Sequence, residues 1–358
     1  MTYRVLLLTG SAPPEPCGIG AYTATLANAL EKAGQPTEVM CHSSWSLSGT
    51  SAAFRRLLAQ RDCIVHVQYP TMGYGYSLGP QVCAIARKCV VTLHEFSIAH
   101  RLRQLSLVPF TLRSARVVMT SNFERDALVR WMPWVRERLI VIPIGSNIPE
   151  LSGATEERCK RIAYFGLIMP RKGLETFIEF ARIVRTMMPD CELMAIGMIA
   201  PRQEEYAKRV IDGSRDSGIK WVIDRNSEEV AEMLSQTSVC YLPFPDGASE
   251  RRGSLKAACL AGVPCITTRS LRTPRELMDV VTFANSPQEA ATMAKNLTEQ
   301  REEWSRLSRK ARAYAQQFDW QTIAQSHLRM YAELRENRSN AFSLGAQMSD
   351  GNVKRVAQ

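Results

Sequence analysis

Four stretches of the chain carry residues whose types and spacing suit work on an anionic, hydroxyl-rich ligand. The first is Thr92-Leu93-His94-Glu95, which follows an apolar run. A lone His is more often a satisfied structural group. One that leaves a buried strand at its carboxyl end, however, presents an imidazole that can hydrogen-bond a sugar hydroxyl or a reacting phosphate. His66, inside its own run, reads as core, whereas Tyr69 and Glu95 stand where an acceptor would be met. The second stretch is Arg171-Lys172-Gly173, between a strand-like run and a helical one, where cations can neutralise a diphosphate; the alternative is a plain surface pair. The third, FPDGASERRGSLKAA over 244–258, opens a helix at Arg252-Gly253-Ser254-Leu255. Such an entry offers free N–H groups and the positive end of a dipole to phosphate oxygens, unless Ser254 is an ordinary N-cap. Glu250, just ahead, is placed to take sugar hydroxyls. The fourth is a Pro-rich loop from Gly10 ending in Gly18-Ile19-Gly20, whose glycines let backbone N–H groups approach a ligand at a helix start. It lacks the third Gly and the later acid of a dinucleotide fingerprint, which argues against an oxidoreductase.

These stretches need strands to end where they begin. Runs at 5–8, 37–41, 63–67, 89–93, 115–120 and 139–142 read as buried strands alternating with helical patterns at 21–33, 51–60, 80–87 and 122–131. Alternation of this kind predicts a doubly wound parallel sheet. After a break of Pro, Gly and charge it restarts, with strands at 162–165, 192–196, 220–223, 238–242, 265–267 and 280–283. The expected organisation is therefore α/β: two Rossmann-like domains over 1–148 and 161–318, joined by a linker at 149–160. A closing helix at 319–336 returns to the first domain, and a polar disordered tail fills 337–358. Ligands of such sheets bind beyond the carboxyl ends of the strands, and two facing halves place the site in the cleft between them.

Composition narrows the class. The chain has 358 residues, 45% hydrophobic and 22% charged, which is ordinary globular usage. No apolar run is long enough to cross a bilayer and the N-terminal run is too short for a secretory signal, so a cytoplasmic protein is expected. Ten Cys without a CxxC pair argue against structural zinc or a disulfide framework. The net charge of +10 is uneven: residues 1–150 hold 15 Lys+Arg against 9 Asp+Glu. Between Glu95 and Glu124 there is no acid, while Arg101, Arg103, Arg113 and Arg116 alternate with leucines. Two expectations stand side by side, a solvated basic helix face over packed leucines and contact with an anionic membrane surface. Nucleic acid is disfavoured because no helix-turn-helix, zinc-finger or RNP pattern accompanies the charge.

Taken together, the GIG loop, Val91-Thr-Leu-His94, Ser121-Asn122-Phe-Glu124, Val141-Ile142-Pro143-Ile144-Gly145, Phe165-Gly166 with Lys172-Gly173, the Glu250 loop with Ala261-Gly262-Val263-Pro264, and the closing Phe318-Asp-Trp320 to Tyr331 resemble the retaining glycosyltransferases of family 4, in order and spacing. The likeness spans residues 1 to about 336 and implies the GT-B fold. It also implies transfer of a sugar from a nucleotide sugar, with retained configuration, to a glycan or lipid-linked acceptor, as in bacterial polysaccharide or glycolipid synthesis. By that likeness, Gly18 and Gly20 approach the phosphates, His94 the sugar, Lys172 and Arg171 the diphosphate, and Glu250 the sugar hydroxyls.

Two departures mark a variant subfamily with a SERRGSL loop. The family's Arg after the Gly ending the first strand of the second domain is here Leu167, with Arg171 a substitute from another angle. Its two Glu, separated by seven residues, fall on Ser249 and Ala257, so Glu250 is one place out of register, Arg252 is a candidate for displaced work, and the ribose contact is unassigned. These departures motivate an alternative, a catalytically inactive sugar-nucleotide-binding accessory protein of the same fold. The chain contains no Asp-x-Asp pair, so metal independence and no cofactor beyond the nucleotide-sugar substrate are expected.

Overall fold

The computed structural model describes residues 3–336 except 16, 43, 61, 95, 98, 150, 152–159 and 272. Glu95, most of the expected linker and the expected disordered tail therefore lie outside the described residues.

The chain forms two compact units: residues up to Ile144 with those from Trp320 on, and Gly145–Asp319. The boundary falls at Ile144 rather than near residue 148. The reason is local, since the Ser146 amide donates to the Phe318 carbonyl (3.2 Å) and Ile148 packs against the core of the second unit.

The first unit holds six strands: β1 (Arg4–Thr9), β2 (Thr37–Cys41), β3 (Cys63–Tyr69), β4 (Val90–Leu93), β5 (Arg116–Met119) and β6 (Leu139–Val141). They lie in the order β2-β1-β3-β4-β5-β6, every pairing parallel. Helices α1 (Gly18–Lys32), α2 (Leu47–Ala59), α3 (Gly79–Ala86), α4 (Arg101–Leu105), α5 (Val108–Arg113) and α6 (Asn122–Trp131) connect them. Both faces of the sheet are covered. Along β1 alternate residues go to opposite cores, Leu6 and Leu8 to one, Val5 and Leu7 to the other, as the two-residue period of a strand requires. The second core is completed by Ile323, Ala324, Met330 and Tyr331 of a helix over 320–336.

The second unit repeats the plan with β7 (Arg161–Phe165), β8 (Glu192–Gly197), β9 (Ile219–Ile223), β10 (Val239–Leu242), β11 (Cys265–Thr267) and β12 (Thr282–Phe283) in the order β12-β11-β10-β7-β8-β9, again all parallel. Its helices are α7 (Leu174–Met187), α8 (Glu204–Asp212), α9 (Ser227–Ser235), α10 (Gly253–Leu260), α11 (Pro287–Glu299) and α12 (Arg301–Ala315).

One sequence expectation changes: the GIG glycines are not in a loop but form the first turn of α1. The basic stretch folds as two short helices, and Arg116 lies in β5, inside the strand expected at 115–120, where it pairs with Glu333 (3.9 Å) of the helix over 320–336. A β-branched run after Arg116 makes it a strand start, and strand-end cations are drawn to whatever acid covers the sheet.

Candidate active site

In each sheet the connections run one way from the first strand and then reverse. The reversal falls between β1 and β3 in the first unit and between β7 and β10 in the second. Loops leaving neighbouring parallel strands on opposite sides of such a point splay apart and leave a crevice at the carboxyl ends, where ligands of open α/β sheets bind. Most of the sequence candidates sit in these loops.

In the second unit, the loop after β7 carries Arg171 and Lys172, and the loop after β10 carries Asp246, Glu250 and Arg252. The two loops touch at Gly173, whose φ is +84° and whose missing Cβ would lie 2.0 Å from the Pro243 carbonyl, so a side chain fits neither the backbone nor the space. Arg171 also takes a left-handed φ of 65°. This turn starts α7 and keeps Lys172 half-buried. Burial, then Arg252, lowers the Lys172 ammonium, and Asp246 raises it, so the three charges share one neighbourhood. Arg252 donates Nη2 to the Asp246 carboxylate and lays its guanidinium 4.4 Å from the centre of the Phe244 ring.

Arg252, not Ser254, is the N-cap of α10, and no side chain caps that end. Neither the Ser254 nor the Leu255 amide finds an acceptor among the described residues. Open amides at a helix start, with Lys172 and Arg252 beside them, make an anion seat. Gly253 leaves it uncovered, since a Cβ there would meet nothing within 4 Å.

Glu250 is half-buried with Oε2 closed off from solvent. Its charge acts on Lys256, which sequence reading passed over. Lys256 is only 4% exposed, and its Nζ lies 4.3 Å from the centre of the Phe318 ring. One signal could have found it: in Leu255-Lys-Ala-Ala-Cys-Leu260 the Lys is the single charged residue among apolar neighbours, and every residue from Leu255 to Leu260 is buried. Leu167, in place of the family's Arg, is 42% exposed and brings no charge.

In the first unit, His94 stands just after β4. Its amide donates to the Tyr69 carbonyl (2.9 Å), Nε2 pairs with Gln68 Oε1 (2.9 Å), and the ring meets Tyr22 edge-on with 4.8 Å between centroids. Nδ1 is buried with no partner among the described residues. Burial, then His327, lowers the imidazole to about 3, so it is neutral at ordinary pH. His66 is core: Nδ1 pairs with the Tyr331 hydroxyl (2.6 Å) and Nε2 with Thr92 Oγ1 (2.7 Å).

Tyr69 does not fit the acceptor role expected of it. It is buried, its ring lies against Tyr74 and Phe110, and its hydroxyl accepts from Gln81 Nε2 (3.2 Å). The side chain of the last strand residue points into the core beneath α3 and α5, as alternation along β3 dictates. The glycines also divide. A Cβ on Gly20 would come within 2.7 Å of the Ser11 carbonyl, so Gly20 lets α1 pack on the loop after β1, whereas Gly18 has open space around it.

The whole architecture is that of the GT-B fold, two Rossmann-like domains. A glycosyltransferase from Rickettsia africae is similar in structure with a TM-score of 0.71 at 13% identity, covering 94% of this chain and 99% of that one. Anabaena HepE, solved in complex with UDP and glucose, gives 0.66 at 16%, covering 92% and 99%. Sucrose-phosphate synthase from Thermosynechococcus elongatus gives 0.65 at 16%, covering 94% and 100%. In sequence, residues 159–300 match the family described as glycosyl transferases group 1, so the second unit carries that family's pattern. No curated protein matches the chain.

Proposed function

We propose that this protein is a glycosyltransferase that moves a sugar from a nucleoside diphosphate sugar to a glycan or lipid-linked acceptor, retaining the anomeric configuration and using no metal. The observation that carries the reading is the anion seat of the second unit, where the uncapped start of α10 converges with Arg252 and Lys172. Its place within the segment matching glycosyl transferases group 1 supports a diphosphate as occupant.

The chemistry follows from charge. As the glycosidic bond breaks, the diphosphate gains negative charge, and fixed cations and helix amides hold the departing group better than the intact donor. Neutral His94 serves as a hydrogen-bonding group to the sugar, and Glu250 takes hydroxyls. UDP is the nucleotide to try first, because the Anabaena structure holds it. Retention and a bacterial polysaccharide or glycolipid setting rest on the sequence resemblance.

The acceptor belongs, in this reading, at an anionic membrane face on the cytoplasmic side. Among the described residues no helix is long and apolar enough to cross a membrane. The support for a peripheral contact is a surface where Leu102 (72% exposed), Leu105 and Leu112 stand beside Arg101, Arg103 and Arg113. Arg103 Nη2 reaches the Gly75 carbonyl (3.4 Å), tying this surface to the turn that exposes Tyr76 and Leu78.

Incubation with UDP-glucose and other nucleotide sugars, with and without excess chelator, tests the reading. Release of nucleoside diphosphate with an α-linked product from an α-linked donor is expected in both. Binding without release would favour the accessory-protein alternative, and loss in chelator restored by manganese would remove the metal-independent part.

A further inference from the structure

Strand alternation puts His66 and Gln68 of β3 on the same face as Ile64, and Thr92 of β4 on the same face as Val90, with His94 continuing that row just past the strand. Ile64 and Val90 belong to the apolar core that α1 and the helix over 320–336 complete. Four polar side chains thus stand in a layer of apolar ones, three of them wholly buried and His94 4% exposed. They are joined in two parallel steps. In register, His66 lies beside Val90 and Gln68 beside Thr92. Each reaches two residues further along: His66 Nε2 pairs with Thr92 Oγ1 (2.7 Å), and Gln68 Oε1 with His94 Nε2 (2.9 Å).

The inner step is closed and the outer one is not. His66 has both ring nitrogens paired, Nδ1 with the Tyr331 hydroxyl (2.6 Å). The outer pair leaves His94 Nδ1 and Gln68 Nε2 buried with no partner among the described residues. Polar atoms left unpaired inside a fold cost free energy, so stability alone would favour apolar side chains at both places. The His94 imidazole is neutral and carries one proton, and a carbonyl oxygen facing Nε2 draws the proton to that nitrogen. Nδ1 is then an acceptor only.

We propose that Gln68 is a positioning residue of the site: its Oε1 holds His94 in the tautomer protonated at Nε2 and keeps Nδ1 as the acceptor for a hydroxyl of the sugar. The inference rests on the glycosyltransferase reading and deepens it, because it says which nitrogen of His94 serves and what sets it. Gln68 touches no reacting atom. Solvent does not reach Nδ1 in the free protein, so the hydroxyl displaces what covers the ring, and its bond forms away from water, where it is strongest.

The test uses the full chain as wild type, Q68M, H94A and the double variant, with 15N spectra of labelled histidine, UDP as binding probe and UDP-glucose as donor. Of the five histidines, the one whose signals vanish in H94A is His94. Its proton should sit on Nε2 in wild type, and Q68M, which keeps the length of the side chain without its carbonyl, should admit the Nδ1 form. In Q68M, turnover should fall about tenfold or more while UDP affinity changes by less than about threefold, since the anion seat belongs to the second unit. In the H94A background the same substitution should cost less than about a further twofold, because Gln68 acts through His94. A proton on Nδ1 in wild type, full turnover in Q68M, or losses that multiply in the double variant would overturn the proposal. If Q68M does not fold, the wild-type spectrum decides: a proton on Nε2 supports the proposal and one on Nδ1 overturns it. Wild type that neither binds UDP nor turns over any donor would overturn the glycosyltransferase reading, and with it the role toward the sugar, while the spectra still decide whether Gln68 sets the tautomer.

Discussion

Lys172 and Glu250 occupy neighbouring loops but are assigned different work, and single substitutions separate them. Lys172→Ala removes a cation whose contact strengthens as the leaving group departs. kcat/KM should fall more than about tenfold, roughly 1.4 kcal/mol, with the melting temperature little changed, and steady-state kinetics with calorimetry checks both. An unchanged rate would make Lys172 a surface residue. Glu250→Ala should reduce transfer more than UDP affinity; an equal loss of affinity would instead make Glu250 the missing ribose ligand. Both residues were singled out because each follows a strand at its carboxyl end, and position there is read from the apolar run before it. Lys256 was not, because a Lys within a helix is by default solvated, and only its apolar neighbours betray burial. Tyr69 was misjudged by one step of strand alternation.

Two elements carry predictions of their own. If α4 and α5 contact lipid, Arg101→Glu with Arg103→Glu should weaken salt-sensitive binding to anionic vesicles, since each basic residue near the surface is worth about 1 kcal/mol. Activity on a short soluble acceptor should survive. Wild type left in the supernatant with anionic vesicles at low salt would return these helices to a solvated face. The strand and helix alternation of both units was legible, because buried parallel strands read as short apolar runs. The start of α1 was not: glycines at 18 and 20 look like a loop until the close approach of Ser11 shows why a helix needs Gly20. Arg116 fell inside the expected strand at 115–120, but its partner Glu333, more than two hundred residues away in sequence, was not legible.

At the scale of the whole molecule, the first unit hides three neutral imidazoles, His66 of β3, His94 just after β4 and His327 of the helix over 320–336. Burial lowers all three, His94 to about 3 and His327 to about 4. Below the ordinary His value the unfolded chain binds protons that the folded chain does not, so stability is present at neutral pH and lost as pH falls from about 6.5 toward 4. Each such histidine costs up to about 1.4 kcal/mol per pH unit in that window. Thermal melts should show a drop from pH 7 to 5, and a flat profile would mean that these rings find protons in the fold.

The central claim is that the start of α10, with Lys172 and Arg252, seats the diphosphate of a sugar donor. Isothermal titration of the full-length protein with UDP and with uridine tests it most directly, because the two ligands differ only in the diphosphate. UDP should bind at least about tenfold more tightly than uridine, and Lys172→Ala should remove most of that difference. Equal affinity for the two ligands, or a difference untouched by the substitution, would contradict the account.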